Sequence, residues 1–162
     1  MFTVRSMREE DLGIVAQLNR ECFPRDNSTL ADARKWTEAS WKAAPRTSCF
    51  VLVDEKEQVG GYILWLEKGG FRKEAVLELE QIGVSNSLRG QGGGTLLIRK
   101  SLKELKERFA FQGRTIKLIE ITTAADNEAQ RLYESALGAR RVTIIPNLFG
   151  GKDEVVMIAR DP

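Results

Sequence analysis

The feature that most constrains this chain is a cluster of glycines between a predicted strand and a predicted helix. Four glycines stand at positions 90, 92, 93 and 94, within the segment Arg89–Thr95. Glycine loses more backbone entropy on folding than any other residue, so the cluster is costly unless something must approach the backbone closely. Successive N–H groups and the first turn of the following helix can then surround an anion. We therefore expect a diphosphate site that includes Gly90, Gln91, Gly92, Gly93, Gly94 and Thr95.

Two well-known phosphate-binding motifs do not fit this segment. A Walker loop needs Gly-Lys followed by Ser or Thr, and the segment contains no lysine. A dinucleotide fingerprint that begins at Gly90 needs glycine at position 95, where this chain has Thr95. A tight turn without a ligand is the structural alternative, because isolated glycine patterns are weak signals.

The hydrophobic pattern along the chain predicts one α/β domain that spans residues 1–162. Helices are predicted over 12–22, 29–42 and from about 97 to 109, followed by a short helix that Asn127 caps with Gln130 and that Gly138 ends. Strands are predicted at 2–5, 48–54, 59–66, 75–84, 116–122, 140–145 and 153–159. This order is typical of a sandwich with a mixed central sheet of about seven strands, flanked by about four helices.

Composition and charge exclude several classes of protein. The chain has no histidine, which removes the commonest general base and most zinc sites, so we expect no metal. The net charge is +2 and no apolar run approaches about 20 residues, so we expect a soluble chain that binds neither membranes nor nucleic acid. Cys22 and Cys49 lack metal or disulfide spacing and no leader is visible, which favours the cytoplasm.

The glycine segment and the strand before it resemble the GNAT superfamily of acyl-CoA-dependent N-acyltransferases. Arg89, Gly92 and Gly94 match its Arg/Gln-x-x-Gly-x-Gly/Ala signature, and Leu79–Val84 is similar to the strand that precedes that signature. The resemblance implies the GNAT fold, with acetyl-CoA as cosubstrate. It also implies that the turn from Arg89 to Thr95 binds the pyrophosphate of coenzyme A, and that the pantetheine arm binds backbone amides of Ile82, Gly83 and Val84.

Two glutamates are candidates for the base that removes a proton from an acceptor amine. Side chains alternate along a strand, so residues 78, 80, 82 and 84 are expected on one face, with about 7 Å between Glu78 and Glu80. A strand face in contact with water is the structural alternative. An ordinary glutamate has a pKa of about 4.3, so burial or a water chain would have to assist it. The resemblance favours Glu80, with Glu78 as the second candidate.

Tyr133 is the candidate for the general acid. The segment Asn127–Glu134 resembles the second cofactor motif of the GNAT superfamily, in which the Asn binds the cofactor and the Tyr protonates the departing thiolate. The resemblance therefore implies that Asn127 and Tyr133 both contact the cofactor. The structural alternative is a core aromatic residue beside Leu132 on an amphipathic helix.

The expected function is transfer of an acetyl group from acetyl-CoA to a primary amine by direct attack. The acceptor stays open between a small-molecule amine, such as a polyamine, an amino acid or an aminoglycoside, and a protein N terminus or lysine. A homodimer is one assembly that would suit such a chain. Two alternatives remain: a sensor that binds acyl-CoA without transferring the acyl group, and an interaction domain in which the glycines only form a turn.

Overall fold

A computed structural model describes residues 1–27 and 29–162 of the chain. The α-helices in these ranges are α1 (Leu12–Cys22), α2 (Leu30–Lys42), α3 (Gly93–Phe111) and α4 (Gln130–Leu137). The strands are β1 (Thr3–Ser6), β2 (Thr47–Val53), β3 (Val59–Lys68), β4 (Glu74–Val84), β5 (Thr115–Ala124), β6 (Arg140–Phe149) and β7 (Lys152–Arg160). Short 3₁₀ turns occupy Glu9–Asp11 and Asn86–Leu88. No helix among the described residues is long and apolar enough to cross a membrane.

The strands form one mixed sheet of seven strands in the order β1-β2-β3-β4-β5-β7-β6. β4 and β5 pair in parallel, whereas β1 with β2, β5 with β7 and β6 with β7 pair antiparallel. The predicted α/β fold with a mixed sheet of seven strands and four helices is confirmed. β6 runs beyond its predicted end and includes Pro146; its place at the edge of the sheet tolerates a residue that has no N–H.

The chain forms two compact units. The first comprises Met1–Trp65 and Gln81–Ser101, and the second comprises Leu66–Glu80 and Leu102–Pro162. β3, β4 and α3 each contribute residues to both units. The two candidate groups of site residues therefore divide between the units: the glycine segment belongs to the first, and Glu78, Glu80 and Tyr133 belong to the second.

The first unit is built around the apolar face of α1. Its helical spacing brings Val15 and Leu18 into a buried cluster that also contains Met7, Val51, Val53 and Tyr62. α2 begins where Thr29 caps it, because the Thr29 side chain accepts a hydrogen bond from the backbone N–H of Asp32 at 3.1 Å.

The second unit buries an ion pair as well as apolar side chains. Arg114 pairs with Glu67, and its guanidinium lies 4.5 Å from the centre of the Phe109 ring. In β4 the side chains of Ala75, Leu77 and Leu79 are buried. The alternation predicted for this part of the strand is therefore present: Glu78 is partly exposed between the buried Leu77 and Leu79, and Glu80 is partly exposed after Leu79.

Two side chains of β4 bond to residues of β3 within their own units. In the second unit Glu78 pairs with Lys68, and in the first unit Gln81 accepts a hydrogen bond from the Tyr62 hydroxyl. That residues 78, 80, 82 and 84 all share one face stays a prediction.

The start of α4 also differs from the prediction. The helix begins at Gln130, with Ala129 in the cap position, and no side chain bonds to its first turn. The Gln130 side chain instead donates hydrogen bonds to the carbonyls of Ala124 and Ala125, at 3.2 and 3.0 Å. The predicted capping pair of Asn127 and Gln130 is therefore wrong, because the carbonyls that follow β5 compete for the glutamine amide. Gly138 ends the helix in the left-handed conformation, as predicted.

Candidate active site

The segment between β4 and α3 depends on two glycines that adopt left-handed backbone conformations. Gly90 has a φ of 76° and Gly92 a φ of 81°, values that other residues rarely adopt. A Cβ added at either position would meet no atom within 4 Å. The two glycines are therefore required by the path of the backbone rather than by crowding, and the space beside them is open.

The other two glycines of the segment belong to the helix. α3 begins at Gly93, so Gly93 and Gly94 lie in its first turn rather than in the connection. A Cβ on Gly93 would lie 2.9 Å from Cδ2 of Leu52, which means that the helix start packs closely against β2. Leu96 donates the first hydrogen bond of the helix, to the Gly92 carbonyl at 3.0 Å. The amides of Gly93, Gly94 and Thr95 precede that bond, as first-turn amides do, and can bind an anion.

Arg89, at the start of this segment, is turned towards the end of β4. Its Nε donates a hydrogen bond to the Val84 carbonyl at 3.2 Å, and its guanidinium lies 3.7 Å from Sγ of Cys22. Burial raises the pKa of the Cys22 thiol, and the hydrogen bond from Arg89 offsets only part of that effect. Cys22 is therefore poorly suited to act as a nucleophile.

The remaining predicted residues of the first unit lie on the same stretch of chain. Gly83 is buried, and a Cβ there would lie 2.8 Å from Cε1 of Tyr62. Ile82 and Val84 are partly exposed, and Gln91 is exposed, with its Nε2 donating to the Ser87 carbonyl at 3.0 Å.

In the second unit, Glu78 belongs to a cluster of three charged side chains. Lys68 donates a hydrogen bond to Glu120 at 2.8 Å and lies 3.3 Å from the Glu78 carboxylate. Burial lowers the pKa of Lys68, but the two carboxylates outweigh this effect and raise it above its ordinary value. The lysine therefore stays charged and remains paired with both glutamates. The parallel pairing of β4 with β5 ends at these two glutamates.

Tyr133 is buried on α4, with 6% of its surface exposed. Its hydroxyl has no hydrogen-bond partner among the residues that the structure describes, so it bonds to neither Glu78 nor Glu80. Burial raises the pKa of Tyr133 to about 12, so the hydroxyl keeps its proton at neutral pH. It is a donor available to a bound molecule.

Asn127 and Gln130 lie just before Tyr133 in the chain. The Asn127 amide donates to the Thr123 hydroxyl at 2.9 Å, while its oxygen accepts from the backbone N–H of Ala129 at 2.9 Å. Gln130 is buried, and its Oε1 accepts no hydrogen bond in the described part of the chain. The predicted cofactor residue Asn127 is thus engaged in its own loop, and an unpaired acceptor lies one turn before Tyr133.

Two residues of the charged cluster escaped the sequence analysis. Lys68 lies beyond the strand predicted over 59–66 but ends β3, and nothing in the sequence distinguishes Glu120 from the other polar residues of its strand. The apolar residues Ile119 and Ile121, on either side of Glu120, are buried. Their alternation with Glu120 is the only sequence signal that Glu120 lies on the other face of β5, which it shares with Glu78. No group of three or more His, Cys, Asp or Glu side chains in residues 1–27 and 29–162 is arranged to hold a metal ion.

Comparison with known proteins gives a family match. The sequence matches the model of the acetyltransferase (GNAT) family over residues 13–139. No curated protein matches the sequence significantly.

Several solved structures share the fold. A protein of the GNAT family from Desulfovibrio desulfuricans aligns over 100% of both chains, with a TM-score of 0.76 and 15% identity. The ribosomal-protein-S18-alanine N-acetyltransferase of Escherichia coli aligns over 99% of this chain and 94% of its own, with a TM-score of 0.74 and 20% identity. The Vibrio cholerae spermidine N-acetyltransferase, solved with CoA and spermine, aligns over 99% and 95%, with a TM-score of 0.76 and 18% identity.

The burial of Tyr133 predicts an unusual titration. The chain has two tyrosines, so the difference in tyrosinate absorbance between the wild type and Tyr133→Phe isolates this residue. We expect almost no tyrosinate from Tyr133 in the folded protein up to about pH 11, whereas an exposed tyrosine would be half ionised near about pH 10. A midpoint near about pH 10 in the folded protein would contradict the raised pKa that burial gives Tyr133.

The same shift affects stability. The folded-state pKa of Tyr133 is raised to about 12, whereas its pKa in the unfolded chain is about 10. The contribution of protonated Tyr133 to the free energy of unfolding is therefore complete below about pH 10 and is lost as the pH rises towards about 12. Urea unfolding of the wild type and of Tyr133→Phe across that range measures this effect. The difference between their free energies of unfolding should shrink only above about pH 10.

Proposed function

Because the chain belongs to the acetyltransferase (GNAT) family, we propose that it transfers an acetyl group from acetyl-CoA to a primary amine. The observation that carries this proposal is the set of first-turn amides of α3 that follows the left-handed Gly90 and Gly92. We also propose that residues 1–162 act as one domain. The alignment with the Desulfovibrio desulfuricans protein over 100% of both chains supports this. The proposed location is the cytoplasm.

The residues of the glycine segment suit the pyrophosphate of coenzyme A. Side-chain-free space beside Gly90 and Gly92 lets phosphate oxygens approach the backbone, and the amides of Gly93, Gly94 and Thr95 donate to them. Arg89 stands at the same turn and supplies positive charge. Backbone groups of Ile82, Gly83 and Val84 bind the pantetheine arm in this proposal, as the family resemblance implies, and Asn127 makes a further contact. The bound cosubstrate supplies an activated acetyl group as a thioester.

Tyr133 acts as the general acid in this proposal. Its hydroxyl supports the role, because it bonds to no described residue and is not among the buried unpaired atoms, which leaves it accessible to a ligand atom. A phenol whose pKa is about 12 holds its proton tightly. Complete transfer of this proton to the sulfur therefore requires that burial also raises the pKa of the thiol. Before the proton is transferred, the hydroxyl stabilises negative charge on the sulfur as a hydrogen-bond donor.

Glu80 acts as the base that takes a proton from the acceptor amine. The family resemblance favours Glu80, and Glu78 is the second candidate; Glu78 shares Lys68 with Glu120, so these three side chains carry one net negative charge. Glu80 follows the last pair of the β4–β5 ladder, beyond the glutamates that Lys68 holds. It removes the proton directly or through a water molecule.

The acceptor in this proposal is a small-molecule amine, or the N terminus or a lysine of a protein. Proteins with the same fold include a spermidine N-acetyltransferase and a ribosomal-protein-S18-alanine N-acetyltransferase, which is consistent with either class. Nucleic acid is not a proposed partner.

Binding and turnover together test the proposal against a sensor that does not transfer the acetyl group. Calorimetry with acetyl-CoA and with CoA measures binding, and thiol release over a panel of amines measures transfer. We expect binding of both molecules and amine-dependent thiol release. Binding without release for any amine would favour the sensor, and the absence of binding would refute both.

Gly92→Glu should abolish coenzyme A binding without unfolding the chain. A carboxylate close to a phosphate repels it by about 4 kcal/mol at an effective dielectric constant of about 20, so affinity should fall by at least about 100-fold. Gly113→Glu is the matched control, because Gly113 also has a positive φ, of 68°, and also has no atom within 4 Å of an added Cβ. Both variants should unfold at similar urea concentrations. Equal affinity in the two variants would contradict the proposed phosphate site.

Tyr133→Phe should lower kcat far more than it lowers the affinity for coenzyme A. Only the departing sulfur needs the hydroxyl, so we expect kcat to fall by about 100-fold or more, while the Kd for CoA changes by less than about 3-fold. Rapid-mixing measurement of thiol release and calorimetry of CoA binding provide the two values. Unchanged turnover would remove Tyr133 from this role.

Glu80→Gln should lower kcat/KM at neutral pH and recover part of it at alkaline pH. Above the pKa of the acceptor amine the solvent has already removed the proton, so the base is no longer needed. Glu78→Gln is the comparison, because it removes the same charge from the neighbouring position on β4. A larger loss in Glu78→Gln, with the same recovery at high pH, would transfer the role of base to Glu78.

A further inference from the structure

We propose that β6 is the interface of a homodimer, in which the β6 strands of two copies lie antiparallel across a two-fold axis near Ile144. The partner is a second copy of this chain. All residues that carry the inference belong to the second unit, and the inference does not depend on the proposed acetyl transfer.

β6 is a long edge strand whose residues are all exposed. It has 10 residues, whereas strands usually have about five or six. It lies at one end of the sheet, and its outer edge pairs with no strand of the described chain. Edge strands of soluble proteins are normally short, charged or covered, because their free N–H and C=O groups can pair with another chain. A long exposed edge therefore indicates a partner that covers it.

The exposed side chains of β6 are mainly apolar. Val142, Ile144, Ile145, Leu148 and Phe149 are between 36% and 64% exposed. Single exposed apolar residues are common, but a contiguous apolar patch marks a surface that binds another protein. These five side chains follow one another along a single strand. The strip is therefore suited to an apolar partner surface.

The pairing of β6 with β7 indicates where the two-fold axis lies. The register is regular over 143–145 and shifts on both sides of that segment. Pro146, which has no N–H, directly follows it. A partner strand can therefore form a regular ladder with these three central residues, of which Ile144 is the middle one. In an antiparallel pair with two-fold symmetry, the residue at the axis faces its own copy.

The two ends of β6 complement each other in shape. An open cleft of about 540 Å³ is lined by Glu134, Gly138, Ala139, Arg140 and Arg141, where α4 connects to β6. Ala139 and Phe149 each lie five positions from Ile144, on opposite sides, which is about 17 Å along a strand. The two-fold axis therefore brings the exposed Phe149 ring of each copy to the cleft of the other.

The charges on the hairpin favour the antiparallel arrangement. Arg140 and Arg141 begin β6, whereas Asp153 lies beside its other end and accepts a hydrogen bond from the N–H of Asn147 at 3.0 Å. An antiparallel partner directs its arginines towards Asp153 and towards the face of the Phe149 ring, which also attracts a guanidinium. The arginines of the two copies are then about 25 Å apart, beyond the Debye length of about 8 Å. A parallel arrangement would bring the arginines together.

Sedimentation velocity of the wild type over a range of concentrations tests the oligomeric state. A strip one strand wide buries less than the standard interface of about 1,600 Å², so we expect a reversible dimer with a Kd in the micromolar range. A chain that stays monomeric at about 200 µM, well above that range, would overturn the inference. Amine-dependent thiol release by such a monomer would leave the proposed function intact.

Ile144→Lys and Ile144→Glu test the position of the axis. Each variant removes an apolar contact from both copies and puts two like charges across the axis, so the Kd should rise by at least about 100-fold. An equimolar mixture pairs lysine with glutamate and should associate about 10-fold more tightly than either variant alone. Recovery in the mixture also shows that both variants are folded. Wild-type affinity in each variant alone, or no gain on mixing, would overturn the inference.

Phe149→Ser tests the contact with the cleft and leaves the central ladder intact. Loss of two buried rings per dimer should raise the Kd by at least about 10-fold. Phe111→Ser is the matched control, because Phe111 is 95% exposed at the end of α3 and should not change the Kd. Urea unfolding at low protein concentration should give similar midpoints for both variants. Equal Kd values in the two variants would overturn the inference, even if a charge at position 144 unfolds the hairpin.

Discussion

The path of the backbone at Gly90 and Gly92 is the constraint on which the candidate phosphate site depends. Both residues have left-handed conformations, and α3 begins directly after them at Gly93. The first-turn amides of this helix therefore follow a turn that only glycine adopts readily. β4, a strand of 11 residues, carries the candidate base Glu80 and leads into this segment.

Features set by local sequence could be predicted. The elements were found because apolar spacing and glycine or proline positions act within a few residues, and Gly138 ended α4 for that reason. The glycine segment was predicted as a group, but its members have different roles. Gly90 and Gly92 have left-handed backbones, whereas Gly93 is a helical residue whose lack of a side chain permits close packing on Leu52.

Features set by contacts between distant parts of the chain could not be predicted. Lys68 bonds to Glu120 across 52 positions, and Asn19 bonds to Gln81 across 62. Both depend on strand register, which is set by pairing between distant parts of the chain. The start of α4 was mispredicted for a related reason, since the Gln130 amide has the carbonyls of Ala124 and Ala125 within reach and bonds to them.

The burial of Tyr133 bears on how an acetyl-transfer cycle would close. In the proposed chemistry the ammonium acceptor loses two protons, one to Glu80 and one to the solvent, while Tyr133 gives one proton to the departing thiolate. A phenolate whose conjugate acid has a pKa of about 12 is a far stronger base than a glutamate carboxylate, so return of the proton from Glu80 to Tyr133 is strongly downhill. The protein would then regain its starting protonation state without exchanging a net proton between its own side chains and the solvent.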